Sequence, residues 1–410
     1  MTIAIFIFFF LLIDYYFFQG VLAASKNWSP ALKSIIRIGF WVPTFLCIVA
    51  LFWWAIGNPY YFTATTRSFI ITGIVATYFS KILGIIVLFT DDLQRGVRWI
   101  VGLFSEKKER LPGTAIPRSE FLSKVALATT VVPFTAFAYG ILSGAHDYRV
   151  KKVTVKLKNL PKAFDGIRIG QLSDIHSGSF WNKTAVKGGV EMMMKEKPDV
   201  IFFTGDLVNN ESSEVKDYVP IFDKLKAPLG VFSVTGNHDY GDYKNWTSEA
   251  EKKKNFQDLV QAHKLMGYDI LMNEHRFLEQ GGEKIAIIGN ENWGAGRFSK
   301  YGKLDLACQN TDEAAVKLLL SHDPTHWDAQ VRPNHPDIDV TFAGHTHGFQ
   351  FGVEIGNIKW SPVQYVYRQW ADLYREGDQY IYVNRGFGFL GYPGRVGMPP
   401  ELTIMELKRG

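Results

Sequence analysis

Four stretches of this sequence are too long and too uniformly apolar for strands or ordinary surface helices, and they restrict what the chain can fold into. They cover residues 3–24, 38–56, 69–89 and 121–142, the last with its uncharged part from Val125 to Leu142. About 20 apolar residues in helical form cross the hydrocarbon core of a bilayer. Only helices and closed barrels satisfy their backbone groups there. A helical bundle inside a soluble protein would show polar faces at helical spacing, whereas these runs are apolar all round. The first run lacks the basic start and small-residue cleavage pattern of a signal peptide. The expectation is an N-terminal α-helical transmembrane bundle over residues 1–145.

Two charges interrupt these runs, Asp14 in the first and Lys81 in the third. An ionisable group at that depth is costly and usually faces a partner inside the bundle, so the two are expected to pair. The alternative is a shifted helix whose charge reaches an interface. Basic residues set the orientation: Lys26, Lys33 and Arg37 follow the first run, and Arg95, Arg98, Lys107, Lys108, Arg110 and Arg118 follow the third. The positive-inside rule places both connections in the cytoplasm and therefore the remainder of the chain on the periplasmic or extracellular side of the inner cell membrane. Arg149, Lys151, Lys152, Lys156 and Lys158, close after the fourth run, pull the other way. Pro117 to Lys124 resembles a degraded twin-arginine export signal with only one arginine, Arg118.

Residues 150–410 read differently, as an α/β domain rich in Gly, Asp and Lys. A chain of 410 residues predicts two or more domains. Its net charge of +5 is scattered, with no basic helix or aromatic-basic strip, so no nucleic-acid surface is expected. Cys47 lies in an apolar run and Cys308 in the polar part, so no disulfide framework is expected. Alternation in Lys151–Lys158 predicts an edge strand. Helices are predicted over 184–196, 213–226 and 247–266.

The apolar strands of this domain share one property. Residues 166–173 run into Asp174-Ile175-His176; 199–204 into Gly205-Asp206; 230–235 into Gly236-Asn237-His238-Asp239; 317–320 into Ser321-His322-Asp323-Pro324; and 340–343 into Gly344-His345-Thr346-His347. Loops at the carboxyl ends of strands in an α/β sheet converge on one crevice. Asp174, His176, Asp206, Asn237, His322, His345 and His347 are therefore candidate ligands of one metal centre. Such a mixture of imidazole, carboxylate and amide suits Mn, Fe or Zn better than Ca or Mg.

These five ordered blocks resemble the calcineurin-like metallophosphoesterase superfamily over roughly residues 150–410. Within it the chain looks like the membrane-attached bacterial branch, which shares segments like Asn384-Arg385-Gly386 and Pro399-Pro400-Glu401. That branch usually has Gly-Gly-Gln after the double histidine, where this chain has Gly348-Phe349-Gln350, a departure that bears on the pocket beside the metals. The resemblance implies a four-layer α/β/β/α sandwich and two divalent ions. Asp174, His176 and His347 would hold one ion, and Asn237, His322 and His345 the other, with Asp206 bridging. It further implies attack by hydroxide bridging the metals on a phosphodiester or pyrophosphate bond, in membrane-related substrates such as phospholipids or nucleotide-linked lipid sugars. His238, oriented by Asp239, would protonate the leaving group.

His146, His263, His275, His326 and His335 have no spacing partner and are expected at the surface or in packing. Trp293 suits either a pocket wall or a turn packed on the core. The aromatic segment Trp360–Tyr374 fits a packed cap or contact with a lipid-bearing substrate. Expected partners are thus a lipid bilayer and a phosphoester, with no obligate protein partner evident. An alternative class is a catalytically silent metal-binding module on a membrane bundle. A transporter is disfavoured, because four spans with few polar groups offer little pathway.

Overall fold

The computed structural model describes residues 2–58, 61–104, 118–356 and 358–410. The chain divides into two compact units, Met1–Tyr139 and Gly140–Gly410. The basic residues Lys107, Lys108 and Arg110, and Pro117 of the export-like segment, lie outside the described residues.

Each apolar run forms a helix: α1 (Thr2–Ala24), α2 (Pro30–Ile56), α3 (Ala64–Phe104) and α4 (Glu120–Leu142). All four are long and apolar enough to cross a membrane. Two differ from expectation. Helix α2 starts earlier, where Ser29 caps it and Pro30 occupies the first turn, a position that needs no amide hydrogen. Helix α3 has 41 residues, about twice a bilayer span, because its polar end carries helix-compatible residues and side-chain partners. There Asp92 accepts from Tyr16 at 2.6 Å, Arg95 at 2.7 Å and Arg118 at 2.6 Å, while Asp91 accepts the Ser119 amide at 3.1 Å. The single arginine of the export-like segment is thus an ion-pair partner within the helical unit.

Asp14 and Lys81 form the expected ion pair, and both are buried. Asp14 also accepts from Thr44 (2.8 Å) and Tyr78 (3.0 Å), so the carboxylate joins α1, α2 and α3. The Lys81 ammonium lies 4.6 Å from the Phe40 ring centroid and 3.2 Å from the Thr44 hydroxyl. Removing one charge strands the other in an apolar setting.

The second unit contains β1 (Arg149–Leu157), β2 (Arg168–Leu172), α5 (Lys183–Lys195), β3 (Val200–Phe203), α6 (Val219–Phe222), β4 (Val231–Ser233), α7 (Glu249–Leu265), β5 (Asp269–Ile270), β6 (Glu274–Gln280), β7 (Glu283–Gly289), β8 (Lys317–Leu320), β9 (Val340–Ala343), β10 (Val353–Ile355), β11 (Ile358–Trp360), β12 (Asp372–Glu376), β13 (Gln379–Val383) and β14 (Glu401–Arg409). Two six-stranded sheets form, in the orders β1-β14-β2-β3-β4-β5 and β12-β13-β9-β8-β7-β6, and β10 and β11 make a separate hairpin. Strand β1 is the expected edge.

Alternation along the strands builds the layers. In β3, Val200 and Phe202 join Ile169, Phe232, Ile287, Leu320 and Phe342 in a core between the sheets. Ile201 and Phe203 face the other way, onto Val186, Val190 and Met193 of α5 and Leu259 of α7. The outer face of the second sheet covers Ile288, Leu319 and Ile381 with Leu304, Trp327 and Val331. This is the four-layer α/β/β/α arrangement. The helix expected over 213–226 is broken into a turn at Ser212–Val215 and the four-residue α6, whose Pro220 cannot donate within a longer helix.

If the buried pair is needed, Lys81→Met or Asp14→Leu alone should destabilise the full chain in detergent by about 3 kcal/mol or more, while the double variant recovers most of the loss. Thermal unfolding of the three variants checks this, and additive losses would contradict it.

Candidate metal centre

The candidate ligands lie just past the carboxyl ends of parallel strands in both sheets. Asp174 and His176 follow β2, Asp206 follows β3, and Asn237 follows β4. His322 follows β8, and His345 and His347 follow β9. Cross-sheet bonds hold the two sets together: Gln171 donates to the Ala343 carbonyl at 2.9 Å, and the Asp174 carboxylate accepts the His345 amide at 3.0 Å. Gly344 permits this approach, since a Cβ there would fall 2.0 Å from the Ser173 hydroxyl and 2.2 Å from the Asp174 carboxylate. Gly236 is required in the same way, because its Cβ would meet Asp206 at 2.2 Å.

Five of the seven candidates adopt left-handed backbone, with φ of 53° at Asp174, 48° at His176, 59° at Asp206, 72° at His345 and 52° at His347. Asp and His tolerate this region better than branched residues, yet such positions still cost about 1–3 kcal/mol each and cluster at functional sites.

The side chains converge in two groups, Asp174–His176–His347 and Asp206–His322–His345, each with ligand atoms within 4.8 Å of one another. In the first, His347 Nε2 lies 3.2 Å from Asp174 Oδ1 and 3.0 Å from His176 Nε2. In the second, His322 Nε2 lies 3.1 Å from Asp206 Oδ2 and 3.3 Å from His345 Nδ1. Asp206 Oδ2 is also 3.5 Å from His176 Nε2, so one carboxylate oxygen stands between the groups. Its other oxygen accepts the His238 amide at 2.8 Å. The Asn237 amide nitrogen donates to the Tyr243 hydroxyl at 2.8 Å, while its buried Oδ1 has no hydrogen-bond partner among the described residues.

These observations fit cations. Unpaired buried acceptors and opposed imidazole nitrogens are costly unless something positive lies between them. Burial holds the His176 imidazole well below its usual range, leaving a neutral ligand. Burial also disfavours the charged form of His322, but the neighbouring Asp206 outweighs it and pushes the imidazole up to about 10. Without a cation, a proton on His322 supplies the positive charge that this donor set calls for.

Each candidate ligand imidazole is steadied through its other nitrogen. His176 Nδ1 meets Asn209 Oδ1 at 3.1 Å, His322 Nδ1 meets the Thr204 carbonyl at 2.8 Å, and His345 Nε2 meets the Tyr367 hydroxyl at 2.8 Å. His347 Nδ1 faces the Arg395 guanidinium at 3.3 Å. Asn209, Tyr367 and Arg395 were not singled out as site residues by sequence. Asn209 alone had a local signal, as an amide residue three positions after Asp206.

The expected pairing of His238 with Asp239 is corrected by the geometry. His238 Nδ1 donates to the Asn209 carbonyl at 2.7 Å. The buried Asp239 carboxylate instead accepts amides of Asp206 (2.9 Å), Leu207 (2.8 Å) and Gly236 (2.8 Å), so it shapes the two loops that carry Asp206 and Asn237. A short carboxylate directed at three nearby amides cannot also reach the imidazole of the preceding residue.

The remaining readings also find places. His263 bonds the Ser233 hydroxyl at 2.9 Å and His326 the Ser321 hydroxyl at 2.7 Å, both as buried packing groups. Trp293 packs on His326, with ring centroids 4.8 Å apart. The aromatic segment divides: Trp370 is buried with Val363, Ala371 and Met398, and Tyr367 packs against them, whereas Trp360 and Tyr365 are exposed. Phe349 has φ 59° and is exposed, while Gln350 beside it is buried and donates to the Tyr392 carbonyl at 2.8 Å.

Comparison with known proteins identifies the family. Residues 167–349 match the family described as calcineurin-like phosphoesterase, and residues 1–145 match the one described as probable calcineurin-like phosphoesterase, transmembrane domain. The chain belongs to the calcineurin-like metallophosphoesterases, enzymes that use divalent metals. Within them it is a membrane protein that carries the four-helix transmembrane domain. It is 29% identical over 298 residues to the uncharacterized metallophosphoesterase YkuE of Bacillus subtilis (strain 168), covering 71% of this chain and 97% of that one. It is 28% identical over 279 residues to a transmembrane protein with metallophosphoesterase domain of Danio rerio, covering 66% of this chain and 60% of that protein. Among solved structures, the sulfate thiohydrolase SoxB of Thermus thermophilus in complex with glycerol aligns over 61% of this chain and 57% of that one, at 11% identity and a TM-score of 0.34.

Asn209→Ala should lower Mn²⁺ affinity about 10–100-fold, since it frees His176 and disturbs the loop behind His238. Calorimetric titration of the metal-stripped full chain checks this, with unchanged affinity as the contrary result.

Proposed function

We propose that the chain is a membrane-anchored hydrolase of a phosphodiester or pyrophosphate bond, and that its two ligand groups each hold one divalent ion. The observation that carries this reading is the position of Asp206 Oδ2, 3.1 Å from His322 and 3.5 Å from His176, where one oxygen can serve both groups. Asp174, His176 and His347 would hold one ion and Asn237, His322 and His345 the other, with Mn, Fe or Zn suiting the donors. When bound, such a pair activates water and neutralises charge on a phosphoryl group.

The protein's own contribution is positioning and proton transfer. His238 is half-buried beside His176, with ring centroids 5.0 Å apart, and its Nδ1 proton is fixed on the Asn209 carbonyl. That leaves Nε2 to give a proton to the departing oxygen, a role worth about a hundredfold to ten-thousandfold. Asp239 assists indirectly, by holding the loops of Asp206 and Asn237. Tyr243 flanks the same corner, 4.6 Å from His238 by ring centroids, and keeps Asn237 turned so that its oxygen is available.

A catalytically silent module is the weaker reading, because a silent member would be expected to lack part of the donor set. The substrate reading is a membrane-related phosphoester, supported by the attached membrane helices. The side reading is the periplasmic or extracellular face, supported by the basic residues between the first two helices and after the third.

The full chain with Mn²⁺ should hydrolyse bis-p-nitrophenyl phosphate faster than the monoester. Asp206→Asn should reduce that rate by at least about a hundredfold, more than His238→Asn does. Equal rates for Asp206→Asn and the unaltered protein would sink the enzymatic reading. Chelation should abolish the activity and added Mn²⁺ restore it.

A further inference from the structure

The β10–β11 hairpin is built inside out. Its register pairs Val353 with Trp360, Glu354 with Lys359 and Ile355 with Ile358. Side chains alternate along a strand, so Val353, Ile355, Ile358 and Trp360 share one face and Glu354 and Lys359 the other. A hairpin on a water-soluble domain normally turns the apolar face inward. Here the polar face is the one tied down. Glu354 pairs with Lys151 at 3.1 Å and with the buried Arg385, and Lys359 donates to Asp372 at 2.7 Å and to the Ala371 carbonyl at 2.9 Å. Arg385 reaches Asp372 as well, at 2.8 Å, closing the network beneath the hairpin.

The apolar face is left outward, with Ile355 71% and Ile358 69% exposed. Nearby Tyr365 and Val366 are 76% and 75% exposed, and Tyr365 accepts from the Trp360 indole at 3.3 Å. The patch borders the metal centre: Ser361 donates to the Gly348 carbonyl at 2.9 Å, one residue from His347, and Tyr367 touches His345. Phe349, 60% exposed, lies on the same loop as His347. Contiguous exposed apolar surface of this kind marks a site of interaction with protein or membrane.

We propose that this patch, comprising Val353, Ile355, Ile358, Trp360, Tyr365 and Val366, seats in the headgroup–acyl boundary of a lipid bilayer. Two features favour lipid over a protein partner. The composition is aliphatic β-branched side chains bordered by Trp and Tyr, the combination that suits the transition from hydrocarbon to headgroups. The chain also carries four helices able to cross a membrane, so a bilayer is tethered to this domain at high effective concentration. The ion pairs on the other face resist rotation of the hairpin, so its apolar residues cannot turn back into the domain. The proposal concerns membrane contact and stands whether or not the centre hydrolyses a lipid-linked substrate.

The test uses the full chain with Cys47→Ala and Cys308→Ala, a single Ile358→Cys and an environment-sensitive fluorophore on that thiol. The protein is placed in phosphatidylcholine vesicles with or without phosphatidylglycerol. The expected result is strong quenching by doxyl-labelled lipid and protection from aqueous iodide, with the opposite pattern for a label at the exposed Asp378→Cys. A label at Tyr365→Cys provides a second reading independent of the hairpin strands. Ile355→Glu with Ile358→Glu should move the Tyr365 label toward water while leaving hydrolysis of soluble bis-p-nitrophenyl phosphate unchanged. Iodide access at Ile358 equal to that at Asp378 overturns the proposal. So does protection from iodide without doxyl quenching, which would assign the patch to a second copy or another protein. Because depth is read separately from turnover, loss of activity and absence of membrane contact are distinguishable outcomes.

Discussion

Asp206 is the group on which the second unit's organisation turns. Its carboxylate is buried among imidazoles from both sheets, and no arrangement of neutral side chains would make that placement favourable. Positive charge, whether as a proton drawn onto His322 or as a cation, is what allows the strand ends to converge. The surrounding framework serves this convergence. Asp239 spends its lone pairs on the amides of the Asp206 and Asn237 loops, and Gly236 and Gly344 permit the close approach of carboxylates from neighbouring strands. The left-handed residues complete it, since they turn the chain sharply as it leaves each strand and send the side chains back toward one point.

The same logic operates in the helical unit at smaller scale. Asp14 and Lys81 are buried where water cannot reach, and Thr44 and Tyr78 complete the carboxylate's partners. Three helices meet at this point, which fixes their relative rotation in a way that uniformly apolar surfaces could not. A fold that lacks a strong aqueous driving force between its helices gains specificity from such polar contacts.

Much of this was legible in the sequence because the informative residues are local. Strands in a parallel sheet are short apolar runs, and a ligand-type residue at the end of each run predicts a common crevice. The membrane helices were legible from length and uniformity alone. What escaped depends on contacts distant in sequence. The Asn209 carbonyl takes His238, a contact that its position three residues after Asp206 does not reveal, and Tyr367 orients His345 without any spacing signal. Strand β14 carries four charged residues among nine, Glu401, Glu406, Lys408 and Arg409, as a surface segment would, yet it lies inside a sheet. The helix expected over 213–226 failed where Pro220 interrupts it, and α3 ran beyond its apolar core because Asp91 and Asp92 found partners. Phe349, the departure in the double-histidine loop, now has a physical setting: the backbone tolerates left-handed geometry there while Gln350, not Phe349, supplies the buried contacts.

Strand β1 joins its sheet through β14 alone, over a register running from Arg149–Glu401 to Leu157–Arg409. During synthesis, β1 is made directly after the membrane helices, and its partner appears only after every other strand of both sheets. The first strand of the domain therefore waits longest for its place. Until β14 arrives, the first sheet lacks the strand that links β1 to β2, and β1 is without its strand partner. Completion of this sheet is, in this topology, a late event, because the strand made first in the domain is fixed only by the strand made last.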